Sequence, residues 1–165
     1  MNNTKEKKCI DLVADKFAEQ EQTYKDAHQF LEEYDDATEG EQIALKVIDK
    51  HNGNYFQEYE DIFDYVNQTA LSWDYIEPYT FNDQREGYYR LQLSWGGPSD
   101  EFRIYTDMNK TIHEIEYWYL TWGDGACINV PRDSSRLAAA VPAAQRRPDE
   151  LRQADSHPAA RGAPR

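Results

Sequence analysis

The sequence predicts an α+β domain over residues 1–130, with N-terminal helices followed by a three- to four-stranded antiparallel sheet, and a disordered tail over residues 131–165. Three observations carry this. Apolar residues recur at three- and four-residue steps up to about residue 68. Past Thr69 the period becomes two, in runs separated by turns rich in Gly, Asn and Asp. At Val130 the periodicity stops and the composition changes.

In chain order, Cys9, Leu12/Val13, Phe17, Tyr24, Ala27, Phe30/Leu31 and Tyr34 put one apolar face on a first helical segment. It is either one long helix or two broken near Glu19–Gln22. The next helix, Glu39–Lys50, carries Ile43, Ala44, Val47 and Ile48 on one face, and Asn52-Gly53 ends it. A third helix is expected from about Asn54 to Gln68, with Tyr55/Phe56, Tyr59, Ile62/Phe63 and Val66 inward.

Tyr89, Leu91, Leu93 and Trp95 then alternate with Arg90, Gln92 and Ser94 as a half-buried strand, and Gly96–Asp100 turns the chain. Phe102, Ile104 and Thr106 mark a second strand. Asp107–Lys110 turns again into a third, Thr111–Trp122. Ile115, Tyr117 and Tyr119 lie on one face of it; Trp118, Leu120 and Trp122 lie on the other. Apolar residues on both faces imply a central strand or a second covering layer. Ala126, Ile128 and Val130 suggest a fourth strand.

Charge is divided unevenly along the chain. Residues 1–130 hold 27 of the 31 Asp and Glu, 11 Lys and Arg and all 22 aromatics, a net of −16. Residues 131–165 hold seven Arg, no Lys, no aromatic, five Pro and nine Ala, a net of +3. This second composition reads as a readthrough, frameshift or fusion tail, with a native disordered extension as the alternative. The segment Met1–Lys8 is polar with no apolar run behind it, so no signal peptide is expected, and no run approaches membrane-spanning length. Cys9 and Cys127 are expected as reduced thiols in a cytoplasmic protein of a bacterial host.

No catalytic chemistry is legible. His28, His51, His113 and His157 stand apart from one another and from Cys at ligand spacings, so no metal is expected. Asn82–Gly87 lacks the alternating oxygen ligands of a calcium loop. There is no G-x-S-x-G elbow, and the Gly-rich turn beside Ser94 and Ser99 leads into a strand rather than a phosphate-binding helix. The chain is therefore expected to be no enzyme and to hold no cofactor.

What remains is the acids. Glu32, Glu33, Asp35, Asp36, Glu39 and Glu41 cluster near the end of the first helical segment, and Glu58, Glu60, Asp61 and Asp64 stud the third. Carboxylates three or four apart on a helix have Cβ atoms about 5–6 Å apart, a spacing comparable to successive phosphates. Such a body repels nucleic acid and membranes and is drawn to basic surfaces.

The stretch Tyr89–Tyr105, continuing through Ile115–Ala126, resembles a segment of small proteins carried by phages, plasmids and other mobile elements. That resemblance implies an α+β fold. In size and acidity the body also resembles anti-CRISPR inhibitors of type II effector nucleases, a likeness of profile that transfers no individual residue. It implies a non-catalytic DNA mimic that blocks a CRISPR effector. An antitoxin, immunity or antirestriction protein acting on another basic nuclease is the alternative. The expected partner-binding residues are Glu32, Glu33, Asp35, Asp36, Glu58, Glu60, Asp61 and Asp64, with Trp118 and Trp122 as aromatic anchors.

Overall fold

A computed structural model describes residues 7–131, so the expected tail, from residue 132 onward, lies outside the described residues. Three helices, α1 (Cys9–Asp36), α2 (Glu39–Asn52) and α3 (Ile62–Thr69), precede five strands. The strands are β1 (Ser72–Ile76), β2 (Tyr88–Gln92), β3 (Ser99–Thr106), β4 (Ile112–Thr121) and β5 (Asp124–Asn129). They form one antiparallel meander in the order β1-β2-β3-β4-β5. The α+β class and the helices-then-sheet order are as the sequence predicts.

α1 is one unbroken helix. Cys9, Val13, Phe17, Tyr24, Ala27 and Leu31 form its buried stripe, and the helix packs on β4 and β5. Its start is pinned to the β4–β5 turn: the Cys9 N–H donates to Asp124 Oδ2 at 2.8 Å. That bond satisfies a helix-end donor and holds the Asp124 carboxyl below its ordinary range.

The helix stripe closes on the inner face of the sheet, built from Leu91, Phe102, Ile104, Ile115, Tyr117, Tyr119 and Ala126. Register puts Leu91, Phe102 and Tyr117 in one row across three strands. Phe17 packs on Phe102 and Tyr117, and Tyr24 on Phe102 and Tyr65. One buried carboxylate sits in this core. Asp100 accepts from the Tyr117 hydroxyl at 2.8 Å and from Ser94 Oγ. Burial first, then this bond, pushes the Tyr117 phenol up.

Two expectations need correction. The sheet has five strands, because β1 was missed. Trp73 and Tyr75 alternate there with Ser72 and Asp74, but the run is only five residues long. β4 is an interior strand, as its apolar residues on both faces imply, paired with β3 and β5, and its outer face is polar as well as aromatic. The helix expected over Asn54–Gln68 is two pieces, a 3-10 turn at Phe56–Glu58 and α3. Tyr55 takes a left-handed conformation, and Asp61 is extended and caps α3, its Oδ1 accepting the Asp64 N–H at 2.8 Å.

The apolar arc of α2 faces outward: Ile43, Val47 and Ile48 are 61%, 65% and 57% exposed. The helix meets the rest of the molecule through the opposite side. Gln42 Nε2 donates to the Tyr34 carbonyl at 3.0 Å, Lys46 lies over the Tyr34 ring, and buried Asp49 accepts from the Gln57 N–H at 3.2 Å.

Candidate interaction surface

The predicted acids fall on two neighbouring parts of the helical layer. Glu32, Glu33, Asp35 and Asp36 occupy the last turns of α1, all exposed. Glu58, Glu60 and Asp61 are exposed on the 3-10 turn and the bend before α3, and Asp64 is half-buried in the first turn of α3. Ring contacts tie these parts together: Phe30 of α1 packs on Phe56, and Phe56 packs edge-on against Tyr65 of α3.

Two of these acids also serve the backbone. Asp61 caps α3, and Asp64 accepts from the Glu60 N–H at 3.1 Å and from Gln68 Nε2 at 2.8 Å. Glu33 accepts from Gln29, and Glu32 pairs with His28 Nδ1 at 3.0 Å. Among the described residues, the carboxylates paired with Lys or Arg are Glu19, Glu21, Asp74 and Glu101. Of the predicted surface acids, Glu33, Asp35, Asp36, Glu58, Glu60, Asp61 and Asp64 are not among them. The negative potential of the helical layer is therefore largely uncompensated by basic side chains of the described fold.

Beside the α1 acids, α1 and α2 enclose two adjoining concavities of about 510 and 310 Å³. Leu45 and Ile48 belong to both, and Glu33 stands at the rim of both. Asp36 and Glu41 line the first; Asp26, Phe30, Asp49 and Phe56 line the second. α2 begins here in a local acid-rich cap: the Thr38 N–H and hydroxyl both donate to Glu41 Oε2, at 2.9 and 2.6 Å. That bonding holds the Glu41 carboxyl below its ordinary range. Neither this seam nor the outward turn of α2 was among the sequence expectations. The signal available was the density of acids at residues 32–41 next to an apolar arc.

Trp118 and Trp122 do not join this surface. Trp118 lies on the sheet face away from α1, half-buried, with the Arg103 guanidinium 3.9 Å from its ring centroid. Trp122 is 91% exposed in the β4–β5 turn, its indole against Gly97.

The outer sheet face forms a third concavity, of about 500 Å³, between the strands and the Phe81–Gln84 loop. Its polar groups are mostly engaged with one another. Arg103 Nε donates to buried Glu101 Oε1 at 2.7 Å. The Tyr105 hydroxyl and Trp118 Nε1 both donate to Glu116 Oε2, at 2.9 and 2.8 Å. Burial, then the bond to Glu116, pushes the Tyr105 phenol up. Arg90 binds Asp74 Oδ2 through its terminal nitrogen at 2.9 Å, while its buried Nε has no partner.

Among the described residues no cluster of His, Cys, Asp or Glu is arranged to hold a metal ion, and no helix is long and apolar enough to cross a membrane. Cys9 and Cys127 are free thiols. Comparison with protein-family models, with curated proteins and with solved structures finds no match.

Proposed function

We propose that this protein is a non-catalytic inhibitor of the anti-CRISPR type, carried by a phage or mobile element, whose acidic helical layer docks on the basic nucleic-acid-binding surface of an effector nuclease. The observation that carries the reading is the set of exposed carboxylates Glu33, Asp35 and Asp36 on α1 and Glu58, Glu60 and Asp61 before α3, which no Lys or Arg of the described fold neutralises. Effector nucleases hold nucleic acid in positively charged channels and read the short flanking motif with basic side chains. A rigid row of carboxylates competes for both places, and pairing relieves repulsion within the free protein. An antitoxin, immunity or antirestriction protein would use the same surface on another basic nuclease.

The test is a plasmid-cleavage assay with several type II effectors and a panel of other basic nucleases, with and without the full chain. Inhibition of at least one effector is expected, with binding that weakens steeply as salt rises. Neutralisation should include only acids without a backbone role, since changing Asp61 or Asp64 also disturbs the α3 cap. The variant Glu33→Gln, Asp35→Asn, Asp36→Asn, Glu58→Gln, Glu60→Gln is expected to lose inhibition while melting like the parent. Full inhibition by that variant, or binding indifferent to salt, overturns the proposal; inhibition of a different nuclease class alone moves it to the alternative.

A second reading, binding of a small ligand, is favoured by one observation: the unpartnered buried Nε of Arg90 in the outer-face concavity. A thermal-shift screen with small carboxylates and phosphates tests it.

A further inference from the structure

On the outer face of the sheet, register sets Arg90 of β2 opposite Arg103 of β3, and Arg103 opposite Glu116 of β4. All three line the concavity beside the Phe81–Gln84 loop. Like charges directly opposite each other are unfavourable in a sheet, so each arginine calls for an anion. Arg90 finds one in Asp74, through Nη2, and Arg103 finds one in Glu101, through Nε. These bonds use only part of each fork. Nη1 of Arg90 and both terminal nitrogens of Arg103 have no acceptor among the described residues, and they keep accessible surface.

Glu116, next in the row, has capacity of the opposite kind. Its Oε2 accepts from Tyr105 and Trp118, whereas Oε1 meets only the Cys127 thiol, at 4.0 Å. Charge decides what fits between these groups. The cavity holds Asp83, Glu101 and Glu116 against Arg90 and Arg103, in a body of net charge −16. A simple anion is opposed by that field, and a simple cation meets two guanidiniums. A ligand with both charges and no net charge suits donors and acceptor alike. Neighbouring Cβ atoms in such a row are about 4.5–5.5 Å apart, so a carboxylate and an ammonium on one carbon can address adjacent positions.

The walls are apolar. Trp118 and Leu120 are half-buried there, and Phe81 stands exposed at the rim. The loop carrying Phe81 is tied by its own bonds: Gln84 Nε2 donates to the Glu77 and Glu86 carbonyls at 3.0 and 2.7 Å, and Gln84 Oε1 accepts the Phe81 N–H at 3.2 Å. The cavity is thus preformed, apolar in its walls and polar at a few converging points, as small-molecule sites are. Resting on the reading of this concavity as a ligand site, we propose that it holds a free α-amino acid with an apolar side chain. The carboxylate bridges the terminal nitrogens of Arg90 and Arg103, the ammonium lies on Glu116 Oε1, and the side chain lies against Trp118, Leu120 and Phe81.

Isothermal titration calorimetry of the full chain compares probes of one skeleton: phenylalanine, phenylpropanoate, which lacks the ammonium, and phenethylamine, which lacks the carboxylate. Phenylalanine is expected to bind with a dissociation constant of a few millimolar or tighter. Each truncated probe should bind about tenfold more weakly or worse, the scale of one charge-assisted hydrogen bond. Glu116→Gln keeps an acceptor for Tyr105 and Trp118 and removes the charge, so phenylalanine should then bind no better than phenylpropanoate. Arg90→Gln should weaken phenylalanine about tenfold. Arg103 is left intact because buried Glu101 depends on it. Melting curves show whether both variants fold; where one does not, the comparison of probes on the parent chain decides.

Phenylpropanoate binding as tightly as phenylalanine overturns the amino acid and leaves the concavity an anion site. Phenethylamine binding as tightly overturns it in favour of a cation. Phenylalanine binding that neither folded variant weakens overturns the location. Binding of acetate or inorganic phosphate with none of the three probes overturns the amino acid while the ligand-site reading stands; no binding by any of these compounds overturns both.

Discussion

Replacing Arg103 with Met exposes how the sheet survives without a covering layer. Arg103 and Glu101 sit two apart on β3, facing away from α1, with side chains 18% and 5% exposed. The guanidinium donates through Nε to Glu101 Oε1 at 2.7 Å and spreads between Trp118, 3.9 Å to the ring centroid, and Tyr88, 5.0 Å. Met keeps most of the stem and its contact with the rings but leaves the Glu101 carboxylate buried without its cation. Breaking a buried pair from one side costs about 3–5 kcal/mol. Loss of the two ring contacts belongs to the same disruption, each on the order of 0.5–2 kcal/mol.

Against a total stability of roughly 5–15 kcal/mol, that is a fifth of the fold or more. With a urea slope of about 1–3 kcal/mol/M, the midpoint should fall by roughly 1–5 M. Urea denaturation followed by both tryptophan fluorescence and circular dichroism measures it. Adding Glu101→Gln should restore about 2 kcal/mol or more, because the stranded charge is then gone. Arg103→Lys should recover only part of the loss, having neither the planar face nor the Nε donor. A loss below about 1 kcal/mol for Arg103→Met, or simple additivity in the double variant, would refute the idea that this pair holds the outer face.

Asp61→Ala should cost about 1 kcal/mol through loss of the α3 cap, seen as a drop of a few degrees in thermal melting, whereas Glu60→Gln should leave the melt unchanged. Stability should also fall in alkali. Burial raises the phenols of Tyr24, Tyr105 and Tyr117, so their contribution is complete below the ordinary phenol value of about 10 and is lost as pH climbs past it. Urea midpoints at about pH 8 and about pH 11 compare the two regimes, and equal midpoints would contradict the burial of these rings.

The parts of the fold legible in the sequence are those where a single period governs a long segment. Cys9, Val13, Phe17 and Tyr24 announce α1 because one stripe meets one sheet face. Ile115, Tyr117 and Tyr119 announce β4 because they alternate over ten residues. β1 escaped because Trp73 and Tyr75 have too few neighbours to establish a period, and its place is fixed by β2, through Trp73 opposite Leu91 and Tyr75 opposite Tyr89. The α3 boundary escaped because aromatic spacing runs straight through Tyr59 and Ile62, while the chain is stopped locally by the cap at Asp61. Trp118 and Leu120 mark β4 as an interior strand, and it lies between β3 and β5; its outer face meets an arginine and a carboxylate, which pair with its aromatics.

The site was legible as charge and illegible as shape. Composition places the acids in the first 77 residues but cannot distinguish Asp61, which holds a helix start, from Glu60, which holds nothing in the described fold. Periodicity gives α2 an apolar arc but not its direction, since burial in the chain's own core and burial against another molecule select the same spacing. Direction is set by side chains outside the arc: Gln42 on the Tyr34 carbonyl, Lys46 over the Tyr34 ring, and Asp49 against Gln57. Those contacts turn the polar side of α2 inward and force Ile43, Val47 and Ile48 out. A helix that faces its own fold with its polar side gives up apolar burial, roughly 1.5–3 kcal/mol for each aliphatic side chain left in water.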